Sequence, residues 1–388
     1  MTSRKNVCIG LSILMGFVSC SQHYSRALVC LPVSENPDLL DSTQAQLVFD
    51  AARHFPNGTQ LSLCVITGDS EKYVGIQRRN DSLVYIRNSD SVFEIGSITK
   101  TFTGTMLARL VYEGRVDPND PIKKFLPLVL RQSSLNGVEI TLVHLANHTS
   151  GLPFEPDNVR ENRDHPFDPY SPYRYYDTGM LYDYLSGRLR LQSTPGEKRL
   201  YSNLGGGLLG HIVTLIAEKS YEELLFETVC IPLGMEHTFV TLNEERMRQM
   251  VRGRDPRGQL LSPGGGDCGA LTGAGGIKSS VRDLVKFLRA NLTDTTYFFL
   301  AQKTTKRFDD HLTGGLGWAT YGDRGKYHVG AFGATGGYTS GIIFERDERV
   351  GVVVLTNVSV FAASPGNYTE KLCRGLYDPL PFASRRQP

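Results

Sequence analysis

Ser97 and Lys100 stand three residues apart where a helically spaced segment begins. Residues i and i+3 of a helix share a face, with Cβ atoms about 5–6 Å apart, so the Lys100 amine can approach the Ser97 hydroxyl. A serine hydroxyl is a poor nucleophile until a neighbour takes its proton. A lysine does this when burial or nearby cations lower its pKa from about 10.4. The tetrad Ser97-Ile98-Thr99-Lys100 therefore offers an activated serine for covalent acyl transfer. After Gly96, the residues Ile98, Phe102, Leu107, Leu110 and Val111 recur near helical spacing and Gly114 stops the run, which predicts an amphipathic helix carrying both groups.

Further along stand Pro195-Gly196-Glu197-Lys198-Arg199-Leu200-Tyr201-Ser202-Asn203-Leu204-Gly205 and Gly333-Ala334-Thr335-Gly336-Gly337-Tyr338-Thr339-Ser340. With the tetrad before them, these stretches give the order S-x-x-K, Y-x-N and Gly-Gly-aromatic. In that order the chain resembles the serine β-lactamase and penicillin-binding protein family, above all its class C β-lactamase and D-alanyl-D-alanine carboxypeptidase or esterase branch. Residues 140–153, Pro232-Leu233-Gly234-Met235 and Gly275-Gly276-Ile277 running to Leu284 fit the same pattern, and the likeness spans roughly residues 45–375. It implies Ser97 as nucleophile, with Lys100 and Tyr201 moving protons. It also implies Asn203 against the substrate amide or the Lys100 head, and Gly333, Ala334 and Thr335 against the substrate. The backbone N–H groups of Ser97 and Ala334 would form the oxyanion hole, in keeping with Ser97's place at a helix N-terminus.

The strand before Gly-Gly-Tyr departs from the family pattern. The position where the family carries Lys or His falls on Ala331, with Phe332 at the usual Thr and Gly333 at the Gly. His328 lies three residues earlier. Side chains alternate faces along a strand, so an odd offset turns His328 away from the site unless a bulge intervenes. Gly330 and Gly333 could supply that bulge, so His328 is carried as a candidate substrate-binding residue.

The elements that must position these groups read as follows. Leu61–Thr67 and Ser82–Ile86 have strand character, a long middle region has helical periodicity (Leu204–Lys219, Tyr221–Thr228, Val281–Asn291), and strands return at Leu316–Tyr321, Tyr338–Phe344 and Arg349–Asn357 before a helix at Tyr368–Tyr377. Strands at both ends with helices between predict an α/β fold: an antiparallel sheet flanked by helices and interrupted by a mainly helical domain, with the active site in the cleft between them. The sheet parts would be about 45–110 and 312–375 and the helical part about 111–311, with residues 21–44 an extension and 376–388 a tail. Residues 154–175, rich in Pro, Asp, Arg and Tyr, read as a long loop over the cleft.

Arg4-Lys5, the apolar run Val7–Val18 of about 12 residues and Ser19-Cys20 read as a secretory signal peptide over residues 1–20, too short to span a bilayer. Cys20 could instead take a bacterial lipid anchor. Six Asn-x-Ser/Thr sequons at Asn57, Asn80, Asn147, Asn291, Asn357 and Asn367 favour a eukaryotic secretory route and a glycoprotein. Of seven cysteines, five lie beyond the signal segment, so at least one thiol stays unpaired whatever bridges form. With 42 basic and 40 acidic residues the net charge of +2 predicts no nucleic-acid partner and no membrane-surface binding, and no later stretch is long and apolar enough to cross a membrane.

Other matches read as structure. Gly205-x-Gly207-x-x-Gly210 has the letters of a dinucleotide fingerprint but follows Tyr-Ser-Asn and no hydrophobic strand, so close backbone packing is the better reading. His144 and His148 have a zinc-like i, i+4 spacing with Leu145 where a metalloprotease has its glutamate, so no metal and no cofactor are expected. No G-x-S-x-G elbow is present. The expectation is a secreted serine hydrolase whose Ser97 acyl-enzyme forms on an ester, peptide or β-lactam carbonyl of a small-molecule or peptide substrate. The alternative, kept open by Ala331, is a catalytically weak or inactive binding protein on the same fold.

Overall fold

The computed structural model describes residues 40–80, 82–262, 268–323, 326–359, 367–378 and 380. The signal peptide, the Cys20 anchor site, Cys30 and most of the 21–44 extension and 376–388 tail fall outside these residues. Helix α1 (Ser42–Ala52) leads into strands β1 (Gln60–Thr67), β2 (Ser70–Arg79) and β3 (Ser82–Tyr85), and helix α2 (Thr99–Tyr112) follows the nucleophile turn. After the helical middle, which includes α3 (Asn203–Ala217) and α4 (Val281–Thr293), come β4 (Lys306–Arg307), β5 (Leu312–Gly314), β6 (Ala319–Asp323), β7 (Lys326–Ala334), β8 (Thr339–Glu345), β9 (Val350–Thr356) and helix α5 (Tyr368–Tyr377).

The nine strands form one antiparallel sheet in the order β3-β2-β1-β9-β8-β7-β6-β5-β4, so the two ends of the chain meet where β1 pairs with β9, Leu63 opposite Val354. Alternation assigns the two faces. Leu61, Leu63 and Val65 of β1 and Val350, Val352 and Val354 of β9 pack under α1 and α5 with Val48, Ala52, Leu372 and Leu376. Cys64, Ile66, Val353 and Leu355 face the other way, into the larger core built with α2, α3 and α4. This is the expected α/β arrangement, a flanked antiparallel sheet interrupted by a helical region.

Helix α2 differs from the amphipathic helix expected. Every residue from Thr99 to Ala108 is buried, because α2 runs through the interior between the sheet and the helical region. Its threonines allow this by satisfying themselves: Thr101 Oγ1 donates to Ile98 O (2.8 Å), Thr105 Oγ1 to Thr101 O (2.8 Å) and Thr103 Oγ1 to Gly273 O (2.9 Å). The Gly205–Gly210 run packs closely, as its reading implied. A Cβ at Gly207 would lie 2.6 Å from Leu271 Cδ2, and one at Gly210 2.6 Å from Gly273 Cα.

Three of the six sequons are corrected by the fold. Asn147, Asn291 and Asn357 are buried, and Asn147 Oδ1 accepts from Thr149 Oγ1 while Asn291 Nδ2 donates to Phe287 O, so none can carry a glycan in the folded protein. Asn57 and Asn80 are exposed. Cys64, Cys230 and Cys373 are free thiols, and these three and Cys268 are buried. Among the described residues no helix is long and apolar enough to cross a membrane.

Candidate active site

The nucleophile turn is a single 3-10 turn, Gly96–Ile98, continuous with α2. Gly96 has φ +49, and a Cβ on it would lie 2.6 Å from Ala334 N, so only glycine permits both the left-handed backbone and the approach of β7. Ser340 Oγ on β8 donates to Ile95 O (2.7 Å), and Ile95 N donates to Ile277 O (3.1 Å). The turn is thereby fastened to the sheet on one side and to the helical region on the other.

Two polar groups, Lys100 Nζ and Tyr201 OH, converge on Ser97 Oγ. Lys100 Nζ lies 3.0 Å from Ser97 Oγ, 2.9 Å from Asn203 Oδ1 and 2.7 Å from Ala274 O, with the lysine only 5% exposed. The two carbonyl oxygens can only accept. Of the three oxygens only Ser97 Oγ carries a proton, so the 3.0 Å contact is the one along which a proton can pass between Ser97 and Lys100. Tyr201 OH donates to Ser97 Oγ at 2.6 Å, and its ring passes 4.9 Å from Lys100 Nζ. That ring is held between His148 (centroids 4.4 Å apart) and Phe154 (6.3 Å). Asn203 opens α3, whose N-cap Ser202 accepts from Gly205 N at 2.8 Å.

His148 is buried beside Tyr201, with backbone φ +63, and its Nδ1 accepts from Ser202 N at 3.3 Å. Burial first, then the charges of Lys100 and Arg199, hold its imidazole well below the ordinary pKa of 6.5, so it is neutral. His144 Nδ1 accepts from Thr141 N at 3.3 Å. The two rings are engaged with separate backbone amides rather than sharing a helix face.

His328 is corrected. The β6–β7–β8 ladder runs without a bulge, with Tyr321 opposite His328 and Ala331 opposite Ile342, so strict alternation applies. His328 points to the α5 face, where its Nε2 accepts from Arg374 Nη1 at 3.3 Å and its ring stands 5.1 Å from Tyr377. Ala331 faces the opposite core with Val329, and Phe332 packs with the α5 side. Gly333 and Ala334 lie against the nucleophile turn, and Thr335 continues from them into the cavity wall.

A cavity of about 220 Å³ opens beside Ser97, lined also by Asn203, Ala274, Ala334, Thr335 and, from the long loop, Phe154, Glu155, Tyr170 and Tyr173. A Cβ at Gly336 would lie 2.1 Å from Tyr170 O, so the loop closes against the β7–β8 turn as a wall of the cleft. The residues that match the beta-lactamase family model are 62–371, which include Ser97, Lys100, Tyr201, Asn203 and every residue named in the cavity wall. The chain belongs to the beta-lactamase family. Its relatives include the D-alanyl-D-alanine-carboxypeptidase/endopeptidase AmpH of Escherichia coli strain K12, 29% identical over 293 residues that cover 74% of this chain and 70% of AmpH. A beta-lactamase of Pseudomonas fluorescens is 30% identical over 270 residues, 67% of this chain and 69% of that protein. Among solved structures, a beta-lactamase/D-alanine carboxypeptidase from Yersinia pestis superposes with a TM-score of 0.70 over 86% of this chain and 96% of its own, at 23% identity. The octameric penicillin-binding protein homologue from Pyrococcus abyssi gives 0.65 over 85% and 74%, at 26% identity.

Two groups on this beta-lactamase framework, the Ala274 carbonyl and Tyr173, have no counterpart among the sequence candidates. Ala274 acts through a backbone carbonyl, which has no side-chain signature. Tyr173, 8% exposed, accepts from Asn203 Nδ2 (3.2 Å) and donates to Glu155 Oε2 (2.9 Å), and burial raises its pKa so that the phenol keeps its proton. Only the tyrosine-rich composition of the loop pointed toward it.

Proposed function

We propose that the chain is a serine hydrolase in which Ser97 forms and then loses a covalent acyl group. The observation that carries this reading is the convergence of Lys100 Nζ and Tyr201 OH on one oxygen, Ser97 Oγ, at 3.0 and 2.6 Å. In the first half-reaction Ser97 Oγ attacks the substrate carbonyl while its proton passes to Lys100. Charge develops on the carbonyl oxygen, which the backbone N–H groups of Ser97 and Ala334 stabilise. Tyr201 carries the proton from Lys100 to the leaving group, whose bond to the carbonyl carbon then breaks. In the second half-reaction a water takes the place of the leaving group, giving up its proton along the same route, and Ser97 is released with the acid product.

The carbonyl belongs to an ester or a peptide in preference to a β-lactam antibiotic. This choice is supported by Ala331, an uncharged methyl at the position where the family places a cation for the substrate carboxylate. Secretion is part of the same proposal and rests on the N-terminal apolar run and on the exposed sequons Asn57 and Asn80. An alkyl fluorophosphonate tests the nucleophile: the intact mass should rise by one phosphonyl group, located on Ser97. Labelling at another residue, or no labelling of folded protein, would overturn the proposal.

A further inference from the structure

We propose that the cavity beside Ser97 selects substrates carrying a positively charged amine close to the scissile carbonyl, with Glu155 as the group that recognises the charge. The inference rests on Ser97 as the residue that attacks that carbonyl. Phe154, Tyr170 and Tyr173 supply aromatic rings to the cavity wall, and Glu155 supplies its one carboxylate among the described residues. No lysine, arginine or histidine is among the described residues lining it. A cation is attracted both to aromatic faces and to a carboxylate, and both attractions strengthen as water is excluded. A substrate carboxylate would meet Glu155 as a like charge and find no compensating cation at Ala331, so the same wall selects against acids.

Glu155 is held in place for this. Its Oε2 accepts from Tyr173 OH at 2.9 Å, while its Oε1 makes no hydrogen bond with the described residues. Tyr173 has one proton and gives it to Glu155, which leaves its oxygen to accept from Asn203 Nδ2 at 3.2 Å. Asn203 Oδ1 in turn faces Lys100 Nζ at 2.9 Å. The series Glu155–Tyr173–Asn203–Lys100–Ser97 is therefore one continuous run of hydrogen bonds, and the carboxylate that reads the charge is placed by the residues that place the base. Each bond in such a run polarises its neighbours.

The test uses two p-nitrophenyl esters of one shape, 4-(trimethylammonio)butanoate and 5,5-dimethylhexanoate, which differ in charge alone at the terminal group. The wild-type kcat/KM ratio, cationic over neutral, should be about tenfold or more. It should collapse toward one in Glu155→Gln, whatever that change does to the neutral ester. A purely structural Glu155 would slow both esters alike and leave the ratio intact, which would overturn the inference. The Ser97→Ala protein supplies a second measurement independent of turnover: by calorimetry it should bind the cationic ester more tightly than the neutral one, and adding Glu155→Gln should shrink the difference to what the aromatic rings supply. Equal binding there would overturn charge recognition even if the esters are hydrolysed. Preferential binding without hydrolysis by the wild type would uphold it and sink Ser97 instead.

Discussion

Gly206 lies one turn into α3, and Lys100 occupies the space its side chain would take. A Cβ at Gly206 would stand 2.8 Å from Lys100 Cε, 3.2 Å from Cδ and 3.3 Å from Cγ. Ordinary contact begins at 3.4 Å, so in Gly206→Ala the Cε must retreat by about 0.6 Å. Lys100 has little freedom to do so, since it is 5% exposed and its Nζ is tied to three oxygens at 2.7–3.0 Å. Misplacing a reacting group by about 1 Å costs up to about 100-fold, so kcat/KM for an ester should fall roughly 10- to 100-fold. Stability should change far less. An alanine inside a helix gains up to about 1 kcal/mol over glycine, which offsets part of an overpacking cost of about 1–3 kcal/mol. Gly187→Ala is the control, because a Cβ there meets nothing within 4 Å. The assay pairs ester hydrolysis with thermal melting. A folded Gly206→Ala protein with the wild-type rate would refute the reasoning, because Lys100 could then move without consequence.

Lys100→Ala and Tyr201→Phe should each slow acylation strongly, and the double variant should be little worse than the poorer single one, because groups that pass one proton act as a unit; multiplicative losses in single-turnover rates would show independent roles. Ala331→Lys should speed acylation by carboxylate-bearing β-lactams or D-alanyl peptides about 10- to 150-fold relative to their neutral esters, the worth of a charge-assisted contact of about 1.5–3 kcal/mol, and an unchanged acid-to-ester ratio would contradict the placement of residue 331. His148 has its folded pKa depressed below 6.5, so its share of stability is present above 6.5 and is lost as pH falls through that value, at up to about 1.4 kcal/mol per pH unit. His148→Asn, which suits the φ of +63, should flatten the fall in denaturation midpoint below pH 6.5, and an unchanged slope would assign that fall to other groups.

How much the sequence discloses about this site follows from how local each feature is. Ser97 and Lys100 are legible because i, i+3 spacing puts them together within one turn. Tyr201 and Asn203 lie more than 100 residues away, and only the resemblance joined them to Ser97. The Ala274 carbonyl has no residue-type signal at all. For His328 the alternation rule already favoured the far face, and the unbroken Tyr321–His328 and Ala331–Ile342 pairing upholds it. Among the fold elements, β2 is absent from the sequence reading because Ser70–Arg79 is mostly polar on both faces, and its place in the sheet comes from pairing with β1, Leu63 opposite Val74. Helix α2 reads as amphipathic because its threonines count as polar, yet they bury by bonding to the backbone within and beside the helix. The sequons at Asn147, Asn291 and Asn357 show the converse, polar motifs whose burial depends on long-range packing that no local pattern records.

The most direct measurement is intact-protein and peptide mass spectrometry of the enzyme quenched during turnover of an ester. The account predicts an acyl adduct on the peptide that carries Ser97, appearing within the first turnover and decaying as ester is consumed, and absent from Ser97→Ala, which should remain folded and inactive. Undiminished turnover by Ser97→Ala, or an adduct on another residue that forms and decays at the catalytic rate, would contradict it.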